Sequence, residues 1–199
     1  MNWLYVLSKT LLRWGCRLLF RASATGLENV PAQGGLILAS NHSSHLDPLM
    51  MGIFMPRRCW YVARLTLGNL PLVGAWMRAI GVIFIDRKSP GREALGRAIE
   101  CLHSGEVVGY FPEGTRSADG KVHEFQKGLL LLLKKSDASV VPVGIEGSFS
   151  AFPKGSWLPR PRRVTVRYGR ARPAAEVLAP GGIEALRRDV AELSRSEMA

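Results

Sequence analysis

Short apolar runs alternate with helix-forming segments through most of the 199-residue chain. The apolar runs have the length and the β-branched or aromatic content of strands, whereas the intervening segments repeat apolar residues at helical spacing. The predicted strands are 36–40, 60–63, 82–85, 107–111, 140–145 and 164–168, and the predicted helices are 48–56, 70–80, 91–103, 127–135 and 183–197. Because such alternation is typical of parallel sheets, we predict an α/β fold with one mostly parallel central sheet flanked by helices.

Composition narrows the class of protein further. The chain is 47% apolar and 22% charged, which is too apolar for a disordered chain and long enough for a buried core. Its three cysteines are widely spaced and odd in number, so neither a disulfide framework nor a metal site is predicted. A reducing compartment is the natural expectation. No run reaches the roughly 20 apolar residues that a membrane span needs.

The charge balance predicts an anionic partner. Lysine and arginine number 27 against 16 acidic residues, a net charge of +11. Nucleic acid, anionic lipid and a phosphorylated or CoA-like small molecule all fit this charge. Between Glu146 and Glu176 there is no acid, but there are seven cations: Lys154, Arg160, Arg162, Arg163, Arg167, Arg170 and Arg172. Aromatic residues lie among these cations, which suits an anionic lipid surface and also nucleic acid.

The first 22 residues form a predicted amphipathic helix that precedes a single domain over residues 23–199. Cations recur at every fourth position, at Lys9, Arg13, Arg17 and Arg21, and so share one side of a helix. The other side carries apolar residues: Trp3, Leu4, Leu7, Leu11, Leu12, Trp14, Leu18, Leu19 and Phe20. We expect this helix to lie in a membrane interface with its cations at the headgroups. The alternative is an amphipathic helix that packs on the core and begins the domain.

A histidine and an aspartate follow the first predicted strand directly. Asp47 and Pro48 predict a helix start, with the carboxylate as N-cap and proline at the first helical position. His42 then lies in the strand-to-helix turn, at the carboxyl edge of a parallel sheet. A turn that ends at the cap lets the Asp47 carboxylate fold back onto the His42 ring, as a general base requires. The alternative is that Asp47 serves only as a helix cap.

A second block, Phe-Pro-Glu-Gly-Thr-Arg-Ser at 111–117, also follows an apolar strand. Gly114 permits a tight turn and a close backbone approach to a ligand. Arg116 offers a planar fork of donors for a phosphate. The alternative is a solvated turn that contains an ion pair between Glu113 and Arg116.

Two more blocks complete a pattern that resembles the glycerolipid acyltransferase family, most closely bacterial 1-acylglycerol-3-phosphate acyltransferases. The family's first motif, a His and an Asp separated by four residues, is matched by His42 and Asp47. Its second motif ends in an arginine, matched by Arg87, and its third is present unchanged at 111–117. Its fourth centres on a proline in an apolar strand, matched by Pro142. The similarity runs from about residue 25 to 170, and residues 23–199 are identified as the acyltransferase domain.

The resemblance implies the roles of the site residues. His42 is the general base and Asp47 stabilises the imidazolium, with no metal and no cofactor. The implied acceptor-binding residues are Arg64, Arg87, Glu113, Gly114, Thr115 and Arg116. Many relatives carry a lysine where this chain has Arg64, and arginine binds in a bidentate manner that lysine does not. His45 is expected to shape the entrance, and His123 is expected to be an ordinary surface residue.

The resemblance also implies the reaction and the partners. The donor is acyl-CoA or acyl-carrier protein, the acceptor is lysophosphatidic acid, and the product is phosphatidic acid. The expected location is the cytoplasmic face of the cell membrane, as a peripheral protein on an anionic lipid surface. An enzyme of the same family with another acceptor, a lyso-ornithine lipid or another lysophospholipid, is the near alternative. A non-enzymatic module that binds nucleic acid is the alternative from another class, but no nucleic acid partner is expected.

Overall fold

The computed structural model describes residues 3–64, 82–85 and 90–199. The helices are α1 (Trp3–Phe20), α2 (Asp47–Ile53), α3 (Pro90–His103), α4 (Gly128–Ser136), α5 (Ser148–Ala151), α6 (Ala174–Leu178) and α7 (Gly182–Ser194), with a 3₁₀ turn at Leu27–Asn29. The strands are β1 (Ser23–Thr25), β2 (Leu36–Ser40), β3 (Cys59–Arg64), β4 (Val82–Ile85), β5 (Val107–Tyr110), β6 (Ser139–Glu146) and β7 (Thr165–Tyr168). The predicted helix 70–80 lies outside the described residues.

The described strands form one sheet in the order β1-β7-β6-β2-β5-β3-β4. Neighbouring strands are parallel except for β6 and β7, which pair antiparallel. The predicted α/β fold with a mostly parallel sheet is therefore confirmed. β1, the short helices α5 and α6 and the reversed direction of β7 were not predicted.

The central strand β2 is buried along its whole length, because helices cover both faces of the sheet. Successive side chains of a strand point to opposite faces. Leu36 and Leu38 accordingly join the core under α1 and α2, while Ile37 and Ala39 join the core under α3, α4 and α7. This arrangement fixes β2, so that the residues directly after it emerge at a defined point of the carboxyl edge.

Helix α1 packs on the domain through one face and exposes an apolar stripe on the other. Tyr5, Cys16 and Phe20 are buried, and Cys16 and Phe20 belong to the core that also contains residues of α2. The exposed stripe consists of Trp3, Leu7, Leu11, Trp14 and Leu18. These positions are three or four residues apart and therefore lie on one side of the helix.

The cations of α1 lie differently from the sequence prediction. Lys9 is half-buried and donates a hydrogen bond to the Met55 carbonyl, and the Arg17 guanidinium lies 5.8 Å from the centre of the Phe54 ring. Arg13 has a buried Nε. Lys9 and Arg13 therefore border the face of α1 that packs on the domain, whereas Arg17 is exposed at the edge of that face. None of the helices in the described ranges has the length and apolar character to cross a bilayer.

Candidate active site

The site begins where β2 ends, and Asn41 fixes its first residue. The Asn41 side chain donates a hydrogen bond of 3.0 Å to the Ile145 carbonyl and accepts one of 2.9 Å from the Ile145 N–H. Both bonds are buried. Asn41 thus ties the end of β2 to β6 and sets the position of His42, as the carboxyl edge of a parallel sheet predicts.

His42 and Asp47 contact each other through their side chains. His42 Nδ1 lies 3.0 Å from Asp47 Oδ2, and the Asp47 side chain is fully buried while that of His42 is 17% exposed. The same oxygen accepts hydrogen bonds of 2.7 Å from the backbone N–H groups of Ser43 and Ser44. With Nδ1 directed at the carboxylate, Nε2 is the ring nitrogen left to accept a proton.

Asp47 does not cap α2, contrary to the sequence prediction. Helix α2 begins at Asp47, its N-cap position is Leu46, and no side chain caps it. The carboxylate instead turns back toward the preceding loop. Because that loop is buried, the N–H groups of Ser43 and Ser44 need acceptors, and the Asp47 carboxylate supplies one for both.

The second block stacks against the histidine. The Phe111 ring lies 4.0 Å from the His42 ring, centre to centre, at an interplanar angle of 21°. The backbone N–H of Ser117 donates a hydrogen bond of 2.7 Å to the His42 carbonyl. The first and the last residue of the 111–117 block therefore both contact His42. The His42–Asp47 block and the 111–117 block form one site.

Glu113 is buried inside this loop, and both of its carboxylate oxygens bind backbone. Oε1 accepts a hydrogen bond of 2.8 Å from the His42 N–H, and Oε2 accepts one of 3.1 Å from the His123 N–H. Burial raises the pKa of Glu113, and these two backbone hydrogen bonds partly oppose that rise. The alternative of a solvated Glu113–Arg116 ion pair is wrong. Both oxygens of Glu113 thus hold the loop in place beside His42, whereas the resemblance implies that Glu113 binds the acceptor.

Gly114 allows the loop to turn over Glu113. Its φ of +70° is in the left-handed region, and a Cβ there would lie 2.5 Å from Gln126 Nε2. That same amide donates a hydrogen bond of 3.0 Å to the Glu113 carbonyl. Gly114 and Thr115 are exposed at the rim of the site. The tight turn predicted at Gly114 is therefore present.

Arg116 is half-buried and donates a hydrogen bond to His45 Nε2. Arg64 ends β3, but its side chain lies outside the described part of the structure, as does the whole of Arg87. Pro142 lies inside β6 and pairs with Ala39 of β2.

Sequence reasoning missed the residues that act through their backbone or their ring face. The N–H groups of Ser43, Ser44 and His123 orient the two carboxylates, and no side-chain pattern distinguishes a backbone donor. His123 is thus more than a surface residue. The stacking of Phe111 on His42 was not predicted either, because it depends on the fold bringing two distant loops together.

Comparison with known proteins decides the family. A family model described as acyltransferase matches residues 21–146, which include β1 to β6 and both loops of the site. The chain belongs to the acyltransferase family. The 1-acyl-sn-glycerol-3-phosphate acyltransferases that it matches, together with this family model, confirm the predicted resemblance to glycerolipid acyltransferases.

Curated relatives of this acyltransferase chain carry closely similar names. It is 30% identical over 132 residues to a 1-acyl-sn-glycerol-3-phosphate acyltransferase of Bacillus subtilis, covering 64% of the chain and 65% of the relative. It is 32% identical over 132 residues to the 1-acyl-sn-glycerol-3-phosphate acyltransferase of Borreliella burgdorferi, covering 65% of the chain and 53% of the relative. It is 31% identical over 140 residues to the chloroplastic LPAT1 of Arabidopsis thaliana, covering 69% and 39%. The chain therefore spans less than two thirds of the length of these relatives.

A solved structure agrees with this acyltransferase over almost its whole length. The 1-acyl-sn-glycerophosphate acyltransferase PlsC of Thermotoga maritima superposes with a TM-score of 0.81 at 28% identity. The match covers 98% of this chain and 81% of that one. The fold described above is thus the fold of a known acyltransferase.

Proposed function

We propose that this protein transfers an acyl chain from a thioester donor, acyl-CoA or acyl-carrier protein, to the sn-2 hydroxyl of 1-acylglycerol-3-phosphate. The observation that carries the proposal is the 3.0 Å contact between His42 Nδ1 and the buried Asp47 Oδ2, which leaves Nε2 to act on a substrate hydroxyl. The names of the relatives support this acceptor.

The reaction needs one base and one activated acyl group. His42 Nε2 takes the proton of the acceptor hydroxyl as its oxygen attacks the thioester carbonyl carbon. Asp47 Oδ2 stabilises the imidazolium that forms, because it already faces Nδ1. When the carbon–sulfur bond breaks, the thiolate leaves and the proton on Nε2 is available to it. The products are phosphatidic acid and a free thiol.

The His42–Asp47 pair can catalyse this acyl transfer without a covalent intermediate on the enzyme. A thioester is already an activated acyl group, so the main requirements are base catalysis and positioning. General base catalysis contributes about 10²–10⁴-fold, and fixing the two substrates together contributes further. Stacking on Phe111 and the hydrogen bond between Nδ1 and Asp47 Oδ2 hold the His42 ring in one orientation.

Arg116 is proposed to bind the acceptor phosphate. The residue after Arg116 is Ser117, whose backbone N–H donates a hydrogen bond to the His42 carbonyl. The backbone of Arg116 therefore lies beside the proposed base. A guanidinium suits a phosphate because it offers two parallel donors. Arg64 and Arg87 stay predicted acceptor-binding residues. With Gly114 and Thr115 exposed at the rim, a headgroup has access to this loop.

The proposed location is the cytoplasmic face of the cell membrane, with the protein bound peripherally. Two exposed apolar surfaces support this proposal: the stripe on α1 and the loop tip at Trp157 and Leu158, which are 95% and 78% exposed. Exposed cations flank the loop tip: Lys154, Arg160, Arg162 and Arg163. The loop leads to Val164, whose N–H donates to the Phe20 carbonyl at the end of α1. Apolar side chains with adjacent cations suit an anionic bilayer surface.

A lipid analysis tests the proposed function. The purified protein is incubated with labelled acyl-CoA or acyl-carrier protein and a panel of acceptors, namely lysophosphatidic acid, other lysophospholipids, a lyso-ornithine lipid and a monoacylglycerol. The proposal is supported if labelled phosphatidic acid is formed faster than any other labelled lipid. Preferential labelling of another acceptor overturns the proposed acceptor, and no labelled lipid at all, together with tight salt-dependent binding of DNA or RNA, overturns the enzyme assignment.

A further inference from the structure

Arg116 contacts a second histidine of the loop after β2. Its guanidinium donates to His45 Nε2, and His45 is the only side chain in the described part of the molecule that hydrogen-bonds Arg116. The His45 ring itself has support from another element. It lies 5.1 Å from the Phe152 ring, and the His45 N–H donates a hydrogen bond of 3.4 Å to the Phe152 carbonyl.

The contact fixes the protonation state of His45. A guanidinium has only donors, so the Nε2 atom that faces it must carry a lone pair and the imidazole must be neutral. His45 is exposed, but partial desolvation lowers its pKa, and the Arg116 guanidinium beside it lowers the pKa further, against an opposing effect of Asp47. The neutral form that the hydrogen bond requires is therefore also the form that its surroundings favour.

We propose that His45 is a positioning residue, which holds the Arg116 guanidinium in place for the phosphate of the acceptor. This inference rests on the proposed function of Arg116. A free arginine side chain samples many rotamers, and ordering it during binding weakens affinity. His45 binds one N–H group of the fork and leaves other donors of the guanidinium for a phosphate. Because His45 lies three residues after the proposed base, it also fixes the phosphate site relative to His42.

Two substitutions at position 45 separate the hydrogen bond from the packing. His45→Phe keeps an aromatic ring beside Phe152 but removes the acceptor for Arg116. His45→Gln places an amide oxygen near the position of Nε2 and keeps an acceptor. We expect His45→Phe to raise the KM for lysophosphatidic acid about tenfold, as the loss of a hydrogen bond to a charged group predicts. The kcat and the KM for the acyl donor should stay within about twofold, the pattern of lost acceptor binding.

The rescue variant and a double-mutant cycle complete the test. His45→Gln should keep the acceptor KM within about threefold of wild type. In an Arg116→Ala background, His45→Phe should change the acceptor KM by less than about twofold, because its partner is already absent. His103→Phe is the matched control, since among the described residues the exposed His103 side chain hydrogen-bonds only the Lys135 carbonyl, outside the site. This control should behave as wild type.

The results that would overturn the inference differ from those that would overturn the proposed function. The inference fails if His45→Phe leaves the acceptor KM unchanged, if it lowers kcat alone, or if it acts equally in the Arg116→Ala background. The proposed acceptor is tested separately, by the wild-type rate with lysophosphatidic acid measured first. If the wild-type protein prefers another phosphate-bearing lyso-lipid, the proposed acceptor is wrong and the cycle is measured with that lipid. Preference for an acceptor without phosphate overturns both.

Discussion

The backbone N–H of His42 donates a hydrogen bond of 2.8 Å to Glu113 Oε1, although the two residues are 71 positions apart in the chain. The ring of the same histidine contacts Asp47, 3.0 Å away. One carboxylate therefore fixes the main chain of the proposed base, and the other fixes its ring. Since Glu113 belongs to the loop that carries Arg116, the base and the proposed phosphate-binding residue are held by one hydrogen-bond network.

The burial of Glu113 predicts a pH dependence of stability. Burial raises the pKa of Glu113 above its ordinary value of 4.5, so the native state keeps this proton to a higher pH than the unfolded state does. Ionisation of Glu113 therefore lowers the free energy of unfolding as pH rises from 4.5 to the raised pKa of the native state. The decrease is at most about 1.4 kcal/mol per pH unit.

Glu113→Gln removes this ionisation. The free energy of unfolding of wild type minus that of the variant should decrease as pH rises from about 4 to 7. Urea unfolding over a pH series measures the difference, and Glu124→Gln at an exposed position is the matched control. A difference that is constant or that grows with pH would contradict the prediction.

Gly114→Ala should destabilise the protein more than Gly155→Ala does. Both glycines have positive φ, +70° and +88°, and left-handed backbone costs a non-glycine residue roughly 1–2 kcal/mol. Of these two positions, only Gly114 has a neighbour for the new Cβ, the Gln126 side chain. Nothing lies within 4 Å of a Cβ at Gly155. Gln126 must move and lose its hydrogen bond to Glu113, which costs about 1 kcal/mol more. Equal losses in urea unfolding would show that the Gln126 contact has no energetic role.

Asp47→Asn should lower kcat about 10²-fold or more while the protein stays folded. The amide oxygen can still accept from the N–H groups of Ser43 and Ser44, so the turn is kept. What is lost is the negative charge that stabilises the imidazolium. Steady-state kinetics with thermal unfolding as a folding control measures this split. A variant with full kcat would mean that Asp47 supports only the turn.

The exposed stripe of α1 predicts weaker membrane binding when it is made polar. Leu11 and Leu18 are 62% and 88% exposed, and fully burying a leucine in an apolar environment contributes about 1.5–3 kcal/mol. The double variant Leu11→Ser, Leu18→Ser should therefore bind anionic vesicles at least about tenfold more weakly in a sedimentation assay. Leu131→Ser alters an exposed leucine on α4 and is the matched control. Equal binding by the double variant and wild type would remove α1 from the proposed membrane contact.

The features that were predictable from sequence are those with local signals. The buried strands β2, β5 and β6 are short apolar runs, and residues that follow parallel strands meet at one edge of a sheet. The His42–Asp47 contact followed from this rule, because both residues lie in one short turn between a strand and a helix. The turn at Gly114 was equally readable, since glycine is the residue that such a turn favours.

The remaining features depend on long-range partners that carry no local signal. The inward position of Glu113 depends on two backbone N–H groups, one 71 and the other 10 positions away in the chain. Asp47 binds the loop before α2 because that loop is buried, and burial is a property of the whole fold. Helical spacing in α1 defined two faces but not which of them packs on the domain. The core takes the face with Cys16 and Phe20, which places Lys9 and Arg13 beside it.

The most direct test of the proposed function is the rate of thiol release from acyl-CoA that depends on lysophosphatidic acid, measured for wild type and for His42→Ala. The proposed base catalysis predicts that the variant loses about 10²–10⁴-fold in kcat, with an unfolding temperature close to that of wild type. His103→Ala, a histidine outside the site, should retain the wild-type rate. Unchanged turnover in His42→Ala would contradict the account, because no other residue is assigned the task of taking the hydroxyl proton.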